Sequence, residues 1–311
     1  MRKKTNKVIA ILCADIHLSL KPPIWRSAEP DWFEAMKRPL DEIKFLQRKF
    51  DCPVICAGDV FDKWNSSAEL INFAIDNLPQ NFYSIPGQHD LPLHNYQDIE
   101  KSAYWTLVEA SKIINLEGGN PLEIKKYHIK LYGFPYGVKI KPLERKTEGY
   151  IHIAVIHEYR CSNKNTAYPN APEESYLRMN EKNLIGYDVI VYGDNHKGFI
   201  TKVNSNSTIF NCGTLMRRHS DEIDYKPQTG LLYEDGRVET YYLDTLKDKY
   251  LETSDNRVVE SNFDMKELFK ALEKLDDTAL DFVVAMKRYL KDKKIDKKVT
   301  DIILECMENE K

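Results

Sequence analysis

The sequence contains little that would cross-link it covalently. Six cysteines are spread over 311 residues, and Cys13 and Cys56 lie in apolar stretches, where a thiol acts as a small hydrophobe. Cys52 and Cys56 are close together but have no matching second pair, which excludes the usual zinc-ribbon spacing. The cysteine pattern therefore argues against a disulfide framework and predicts a reducing, cytoplasmic setting.

Long apolar runs are also missing from the sequence. No stretch approaches the ~18 consecutive apolar residues that a membrane span requires. The basic segment 1–7 precedes an apolar run, 8–14, that is too short for a secretory signal and is ended by Asp15. We therefore expect a protein without a membrane partner.

The chain has no strong excess of one charge. Its formal net charge is −3, so the charge of the whole chain does not indicate nucleic-acid binding, although a local basic patch is compatible with it. Hydrophobic residues make up 42% of the chain and charged residues 30%. These fractions are typical of a globular protein in water.

Strand-like and helix-like segments alternate in the first third of the chain, whereas later strands follow one another directly. The first predicted strands are 7–14, 53–57 and 82–85, and helices are predicted at 31–49 and 68–78. Seven further short strands are predicted between 127 and 243, the last two joined by the turn Asp235-Gly236. This order predicts an α/β fold in which a two-sheet sandwich is flanked by helices.

The composition changes after about residue 243. Residues 264–275, 278–290 and 297–307 are rich in Lys, Asp and Glu, and their apolar spacing predicts three amphipathic helices. Three short helices are not expected to bury all of these apolar stripes among themselves. We therefore divide the chain into a domain at 1–245 and a helical tail at 246–311, which we expect to bind a partner or to mediate oligomerisation.

Polar residues directly follow five of the predicted strands. In open α/β sheets, ligands bind beyond the carboxyl ends of the strands, so side chains delivered to this edge can converge. Carboxylates, imidazoles and an amide oxygen, without thiolates, form a ligand set that suits Mn, Fe, Zn or Mg. The strand-end residues are Asp15, His17, Asp59, Gln88, His89, Asp90, His157, Asp194 and His196.

These motifs resemble, in order and spacing, the calcineurin-like metallophosphoesterase family. That family's pattern is D-x-H, G-D-x-x-D, G-N-H-D/E, a strand-end His and then G-H-x-H, and the resemblance covers roughly residues 7–245. It implies a four-layer αββα sandwich with 1–245 as the catalytic domain. It also implies that phosphate esters are hydrolysed by a hydroxide held between two divalent metal ions.

The resemblance implies a role for each strand-end residue. Asp59 is expected to bridge the two ions. His89 is expected to act on the phosphate and the leaving group without binding metal, and Asp90 is expected to orient His89. The first metal site would comprise Asp15, His17, Asp59 and His196, and the second would comprise Gln88, His157 and Asp194.

Two residues depart from the family pattern. Gln88 stands where Asn is usual and carries its amide oxygen one methylene farther out, and Asp194 replaces the first His of G-H-x-H. The additional carboxylate makes the ligand set harder, which favours Mn, with Mg, Fe or Zn as alternatives. The same departures leave open a second metal that is only weakly held.

Within the family, the likeness is greatest to the SbcD-type DNA exonuclease branch. Residues 211–215, followed by Arg217 and Arg218, resemble that branch's stretch after the last metal ligand, so both arginines are candidates for binding substrate phosphate. The helical tail lies where that branch binds an SMC-like ATPase. The resemblance thus implies a nuclease that acts on DNA, with such a partner or with a homo-oligomer formed through the tail.

Three functional hypotheses follow from the sequence. The first is a two-metal nuclease, the second is a phosphoesterase for small molecules or cyclic nucleotides, and the third is a catalytically weakened subunit that binds DNA or an ATPase. Asp62 is either functional or a loop cap. Trp25 and Trp32 are expected to pack over the core and not to stack on a base.

Overall fold

The computed structural model describes residues 7–116, 120–204 and 207–251. These ranges contain twelve β-strands and three α-helices, joined by loops and short 3-10 turns. The strands are β1 Val8–Cys13, β2 Val54–Cys56, β3 Phe82–Ser84, β4 Ile113–Asn115, β5 Leu122–Ile124, β6 Ile129–Phe134, β7 Ile151–His157, β8 Val189–Gly193, β9 Phe199–Val203, β10 Ser207–Asn211, β11 Gln228–Tyr233 and β12 Val238–Tyr242. The helices are α1 Trp32–Phe50, α2 Ala68–Asn77 and α3 Ala103–Glu109.

The strands form two six-stranded mixed sheets. The first has the order β12-β11-β1-β2-β3-β4, in which β1 to β4 are parallel and β11 runs antiparallel to β1. The second has the order β5-β6-β7-β8-β10-β9, in which β6, β7, β8 and β10 are parallel. The predicted α/β fold, two mixed sheets flanked by helices, is confirmed.

The first sheet lies between two apolar layers, which explains why β1 is apolar at every position. Ile11 and Cys13 belong to the cluster that includes the helices, whereas Leu12 and Ala14 pack toward the second sheet. Alternate side chains of a strand point to opposite faces, so a strand covered on both faces reads as an unbroken hydrophobic run. The same reasoning holds for β2, which is buried throughout.

Helix α1 covers the outer face of the first sheet. The Asp31 side chain caps its start by accepting a hydrogen bond from the Glu34 N–H. Met36, Leu40 and Ile43 form its buried stripe. Trp32 is also buried and donates its indole N–H to the Ser19 carbonyl, so this tryptophan packs into the core as predicted.

The outer face of the second sheet is covered differently. Tyr132, Ile156 and Tyr187 form an apolar cluster there, together with Leu184 from a 3-10 turn at Lys182–Leu184. Within the described ranges no α-helix packs against this face. Short turns and loops form the fourth layer in this part of the chain.

The chain divides into two units at Leu251. The predicted helices at 264–275, 278–290 and 297–307 lie outside the described residues, and their role in partner binding stays a prediction. Residues 246–251 belong to the first unit, because the Leu251 N–H donates to the Trp25 carbonyl. None of the helices described here is long and apolar enough to span a bilayer.

A buried ionic cluster fixes the last described segment to the start of the chain. Arg26 is fully buried, and its Nη2 lies 2.5 Å from Glu29 Oε1 and 3.1 Å from Asp248 Oδ1. The rings of Trp32 and Tyr250 lie 5.7 and 5.1 Å from its guanidinium carbon. Removal of one partner from such a cluster leaves a buried charge without compensation.

Arg26→Met is therefore expected to lower the free energy of unfolding by about 3 kcal/mol, the low end of the ~3–5 kcal/mol for broken buried pairs. The low end is expected because Arg38 Nη2 also contacts Glu29, at 2.8 Å. Denaturant unfolding measures the change, and Lys37→Met on the exposed face of α1 is the control, with a loss under ~0.5 kcal/mol. Equal losses in the two variants would contradict the structural role of Arg26.

Candidate metal centre

Parallel strands from both sheets end at one edge and deliver the polar residues there. Asp15 follows β1 and Asp59 follows β2, and the loops after these strands are tied by hydrogen bonds from Asp15 N to Gly58 O and from His17 N to Asp59 O, both 3.0 Å. In the second sheet, the last residue of β7, His157, is paired in register with Gly193 at the end of β8. The carboxyl ends of four strands therefore surround a common space.

The backbone at these strand ends adopts conformations that most residues avoid. Asp15, His17, Asp59 and Asp194 have φ values of 51°, 49°, 53° and 82°. Left-handed backbone in an L-residue costs roughly 1–2 kcal/mol, and such strain persists where the surrounding structure enforces it, often at functional sites. The strand ends thus hold their side chains in a fixed direction at an energetic cost.

The first group of candidate ligands centres on His17. His17 Nε2 lies 3.0 Å from His196 Nε2, 3.7 Å from Asp59 Oδ2 and 4.0 Å from Asp15 Oδ1. Asp15, His17 and His196 each offer a ligand atom within 4.8 Å of the others. The structure brings together all four residues that the sequence assigned to the first metal.

The second group centres on His157. Its Nε2 lies 3.4 Å from Asp59 Oδ2, and Asp15 completes a second cluster of ligand atoms. His157 Nδ1 lies 2.6 Å from the Ala57 carbonyl oxygen, which accepts a hydrogen bond from it and fixes the proton on Nδ1. The lone pair of Nε2 is thereby directed into the site, as is usual for a metal-binding imidazole.

The two residues that depart from the family pattern contact each other. The side-chain amide of Gln88 donates from Nε2 to Asp194 Oδ1 at 2.7 Å, and the Asp194 backbone N–H donates to Asp15 Oδ1 at 3.0 Å. The additional methylene of Gln88 allows this contact, which holds the amide in one orientation. Its oxygen, Oε1, has no hydrogen-bond partner and is buried.

Several buried polar atoms of the site lack a partner, and these atoms fit a divalent cation. Asp59 Oδ2, Gln88 Oε1 and His157 Nε2 accept no hydrogen bond. Each is a lone-pair donor, and carboxylate, amide and imidazole donors together suit Mn, Fe, Zn or Mg. Buried lone pairs without a hydrogen-bond partner are expected at a metal site from which the cation has been removed.

The glycines of these loops leave the space that the ligands occupy. A Cβ on Gly87 would lie 2.1 Å from Asp59 Oδ1 and 2.6 Å from His157 Cε1. A Cβ on Gly58 would lie 2.4 Å from His157 Nδ1. Only glycine permits the backbone to approach the candidate ligands so closely.

Burial shifts the ionisation of the candidate ligands. Burial raises the pKa of Asp15 to about 7 and lowers the pKa of His17 to about 3, so His17 is held in the neutral form that binds metals. Burial also acts to raise the pKa of Asp59, but the electrostatic influence of the neighbouring His157 imidazole outweighs it and holds that pKa below its usual range. The site combines closely spaced carboxylates with imidazoles, an arrangement that a cation stabilises.

His89 is positioned by its neighbours at the rim of the site. Its backbone N–H donates to Asp59 Oδ1 at 3.0 Å, and its Nδ1 lies 3.0 Å from the Asp62 carbonyl oxygen. The His89 ring meets the His17 ring edge to face, with centroids 5.0 Å apart. Since His89 also offers a ligand atom beside His17 and Asp59, its predicted role as a residue that does not bind metal stays a prediction.

Asp90 does not orient His89, contrary to the expectation from the sequence. Its carboxylate accepts hydrogen bonds from the N–H groups of Val60, Phe61 and Gly87, at 3.2, 2.9 and 3.0 Å. These contacts tie the turn that carries Gln88 and His89 to the loop that follows Asp59. The physical reason is burial, because a fully buried carboxylate requires donors and the nearest are backbone N–H groups.

The structure separates the two arginines that the sequence treated together. Arg218 reaches the site, where its Nη2 lies 2.7 Å from Asp62 Oδ1, and the same Asp62 oxygen lies 3.6 Å from His17 Nδ1. Arg217 points elsewhere, donating from Nε to the Tyr225 carbonyl at 2.5 Å and from Nη1 to the Tyr250 hydroxyl at 3.1 Å. Only Arg218 is therefore placed to act near the candidate ligands.

Glu222 lies at the site although it was not predicted from the sequence. Its Oε1 lies 3.5 Å from His196 Nδ1, and its Oε2 accepts hydrogen bonds from the N–H groups of Arg218 and His219. The carboxylate thereby fixes the His196 ring and the loop that carries Arg218. No motif marks this glutamate, because it follows an irregular loop and not a strand.

Comparison with known proteins identifies relatives at the level of family and fold. The family model described as "Calcineurin-like phosphoesterase" matches residues 10–198, which confirms the family resemblance predicted from the motifs; the SbcD-type branch stays a prediction. No curated protein matches the chain.

Solved structures show similarity at low identity. A metallophosphoesterase from Sphaerobacter thermophilus is 13% identical, with 77% of this chain and 89% of that chain covered and a TM-score of 0.35. The calcineurin-like phosphoesterase YfkN from Bacillus subtilis is 11% identical, with 78% and 86% covered and a TM-score of 0.41. Vps29 from Entamoeba histolytica, solved with zinc, is 15% identical, with 76% and 98% covered and a TM-score of 0.32. None of these scores reaches 0.5, so the family assignment rests on the family model.

Asp59→Asn is expected to remove bound metal, because an amide in place of the central carboxylate lowers the negative charge shared by both ligand groups. Elemental analysis after dialysis against Mn measures the change, and at least one of two ions should be lost. Asp188→Asn is a matched control: its carboxylate serves Lys146 and the His152 N–H, away from these ligands. Full two-ion occupancy in Asp59→Asn would refute the bridging role of Asp59.

Proposed function

The chain belongs to the calcineurin-like phosphoesterase family, whose membership implies a metal-dependent hydrolase of phosphate esters, and we propose that it cleaves nucleic-acid phosphodiesters. One observation carries the proposal: the buried atoms Asp59 Oδ2 and His157 Nε2, which have no hydrogen-bond partner, lie 3.4 Å apart in a cluster of ligand atoms that also includes Asp15. Arg218 lies beside that space. We propose Mn as the preferred metal, with Mg, Fe or Zn as alternatives, since Asp194 adds a hard ligand.

Two cations, when bound, supply Lewis acidity at the phosphate and lower the pKa of water. The residues of the chain supply the rest of the proposed mechanism. Asp15, His17, Asp59 and His196 would hold the first cation, and Gln88, His157 and Asp194 would hold the second. His89, whose Nδ1 lies 3.0 Å from the Asp62 carbonyl oxygen, would as the doubly protonated imidazolium pass its Nε2 proton to the departing oxygen.

Arg218 is the residue we assign to the substrate phosphate. Its guanidinium is held by Asp62 through Nη2, while Nε makes no hydrogen bond. A guanidinium binds phosphate oxygens through paired N–H groups. Arg217 is not assigned this role, because its Nε and Nη1 groups donate hydrogen bonds to the Tyr225 carbonyl and the Tyr250 hydroxyl.

Two alternatives make different use of the same site. A phosphoesterase for small molecules or cyclic nucleotides would need the metals and His89 but no long path for a nucleic-acid strand. A weakened subunit that binds DNA or an ATPase would hold metal without turnover. The net charge of −3 supports weak intrinsic DNA affinity, and we propose that an SMC-like ATPase partner or self-association through residues 246–311 supplies the remainder.

His89→Asn is expected to keep both ions and to lower kcat by about 10²–10⁴-fold, the usual contribution of a positioned proton donor. Metal content and turnover of a chromogenic diester are measured together. His128→Asn is the matched control, because His128 is exposed and its ring lies beside that of Tyr150, just before strands β6 and β7. Loss of the metal in His89→Asn would make His89 a ligand, and unchanged turnover would remove it from the mechanism.

The nuclease activity itself is tested by the release of nucleotides from end-labelled single-stranded and duplex DNA in Mn. We expect cleavage that weakens as salt rises, because phosphate contacts release counterions. Asp59→Asn, purified in parallel, should be inactive and thereby exclude a contaminating nuclease. Hydrolysis of cyclic nucleotides or phosphomonoesters, with no DNA cleavage at low salt, would favour the small-molecule alternative.

A further inference from the structure

A cavity of ≈ 270 Å³ opens beside the metal centre. Resting on the proposed function, we propose that this cavity binds the base of an unpaired nucleotide whose phosphate lies at the metals. Its walls carry two aromatic rings, one cation and a carboxamide. The residues that matter for the argument are Asn165, Tyr168, Lys197, Glu222 and Tyr225.

The cavity and the metal centre share a wall. Glu222 lines the cavity, and its Oε1 lies 3.5 Å from Nδ1 of His196, a candidate metal ligand. Lys197, the next residue after His196, lines the cavity as well. A group bound there would therefore be separated from the candidate ligand His196 by the side chain of Glu222.

The wall formed by the loop 160–168 is fixed to the metal loop by a buried amide. Asn195 is fully buried, and its Nδ2 donates to the carbonyls of Arg160 and Thr166, at 2.7 and 2.9 Å. Asn211 Nδ2 in turn donates to the carbonyls of Asn195 and Lys197, at 2.7 and 3.0 Å. The cavity is thus held in shape by buried hydrogen bonds, which lowers the cost of ordering it around a ligand.

Tyr225 offers a rigid aromatic face. Its hydroxyl donates to the Cys212 carbonyl at 2.7 Å, and its own carbonyl accepts from Arg217 Nε at 2.5 Å. Among the described residues, the ring has no aromatic or cationic partner. An aromatic ring that is held at both ends and lines a cavity can serve as the platform on which an unpaired base stacks.

The rest of the cavity suits the polar parts of a nucleotide. Lys197 Nζ lies 4.7 Å from the centroid of the Tyr168 ring and donates to the Ala167 carbonyl at 2.8 Å. The ammonium has three N–H donors, so others can meet a hydroxyl or a phosphate. The exposed side-chain amide of Asn165 makes no hydrogen bond with any residue that the structure describes, and an amide can both donate to and accept from the edge of a base.

The size of the cavity is compatible with one nucleotide base. A volume of ≈ 270 Å³ lies just below the ~300–1,000 Å³ of pockets for drug-sized ligands. A single base fits within this volume. Recognition of a single base through its face and edge is the mode by which proteins bind unpaired nucleotides, so single-stranded ends are the substrate that this cavity favours.

The test compares two probes that differ only in the base: the methylenephosphonate analogues of AMP and of ribose 5-phosphate, which hydrolysis cannot consume. Calorimetric titration of the full chain with Mn should give at least about fivefold tighter binding of the AMP analogue, consistent with one stacked base. Tyr225→Leu should abolish the difference, whereas Tyr225→Phe, which keeps the ring, should retain it.

A second variant does not depend on the stability of Tyr225→Leu. Asn165 is exposed and its side chain makes no hydrogen bond with the described residues, so Asn165→Ala should fold and should reduce the advantage of the AMP analogue over the ribose 5-phosphate analogue. Equal binding of both probes by the wild-type chain, or a base preference that survives Tyr225→Leu and Asn165→Ala, would overturn the inference. Base-dependent binding without diester hydrolysis would refute the proposed function alone, and hydrolysis without base dependence would refute the cavity alone.

Discussion

Three carboxylates are fully buried at one edge of the two sheets: Asp15, Asp59 and Asp90. The burial of an anion costs several kcal/mol unless donors or a cation meet it. Backbone N–H groups meet Asp90, and the Asp194 N–H meets Asp15. Asp59 Oδ2 has only imidazoles as neighbours, with no hydrogen bond. The local structure of the site is arranged around the cation that this oxygen requires.

The fold meets that requirement through its strand ends. Two parallel-strand frameworks, packed on a shared apolar layer, deliver ligands from opposite sheets to one space. The left-handed turns at Asp15, Asp59 and Asp194 are costly in isolation, and the hydrogen bonds between adjacent strand-end loops hold them. The site therefore draws on the stability of both sheets, which explains how a mixture of buried charges is maintained without a disulfide among the described cysteines.

The sequence predicted the residues of the centre because each follows a strand. Apolar runs such as β1 and β7 are easily recognised, and a polar residue at the end of each is then conspicuous. Three short elements escaped prediction, α3, β4 and β5, since three to seven residues carry too little periodicity to be distinguished from loops.

Contacts between loops could not be predicted from the sequence. The pairing of Gln88 with Asp194, of Asp62 with Arg218 and of Glu222 with His196 joins segments far apart in the chain, and nothing local to either partner marks it. The same holds for Asp90, whose true partners are backbone groups. Side chains that hold ligands in place are thus visible only once the sheets have brought their loops together.

The central claim is that two cations share the carboxylate of Asp59. Anomalous diffraction at the Mn edge from crystals of the full chain grown with Mn tests it most directly. Two anomalous peaks are expected, both in contact with Asp59, one beside His17 and His196 and the other beside Gln88 and His157. A single peak, or two peaks of which only one contacts Asp59, would contradict it.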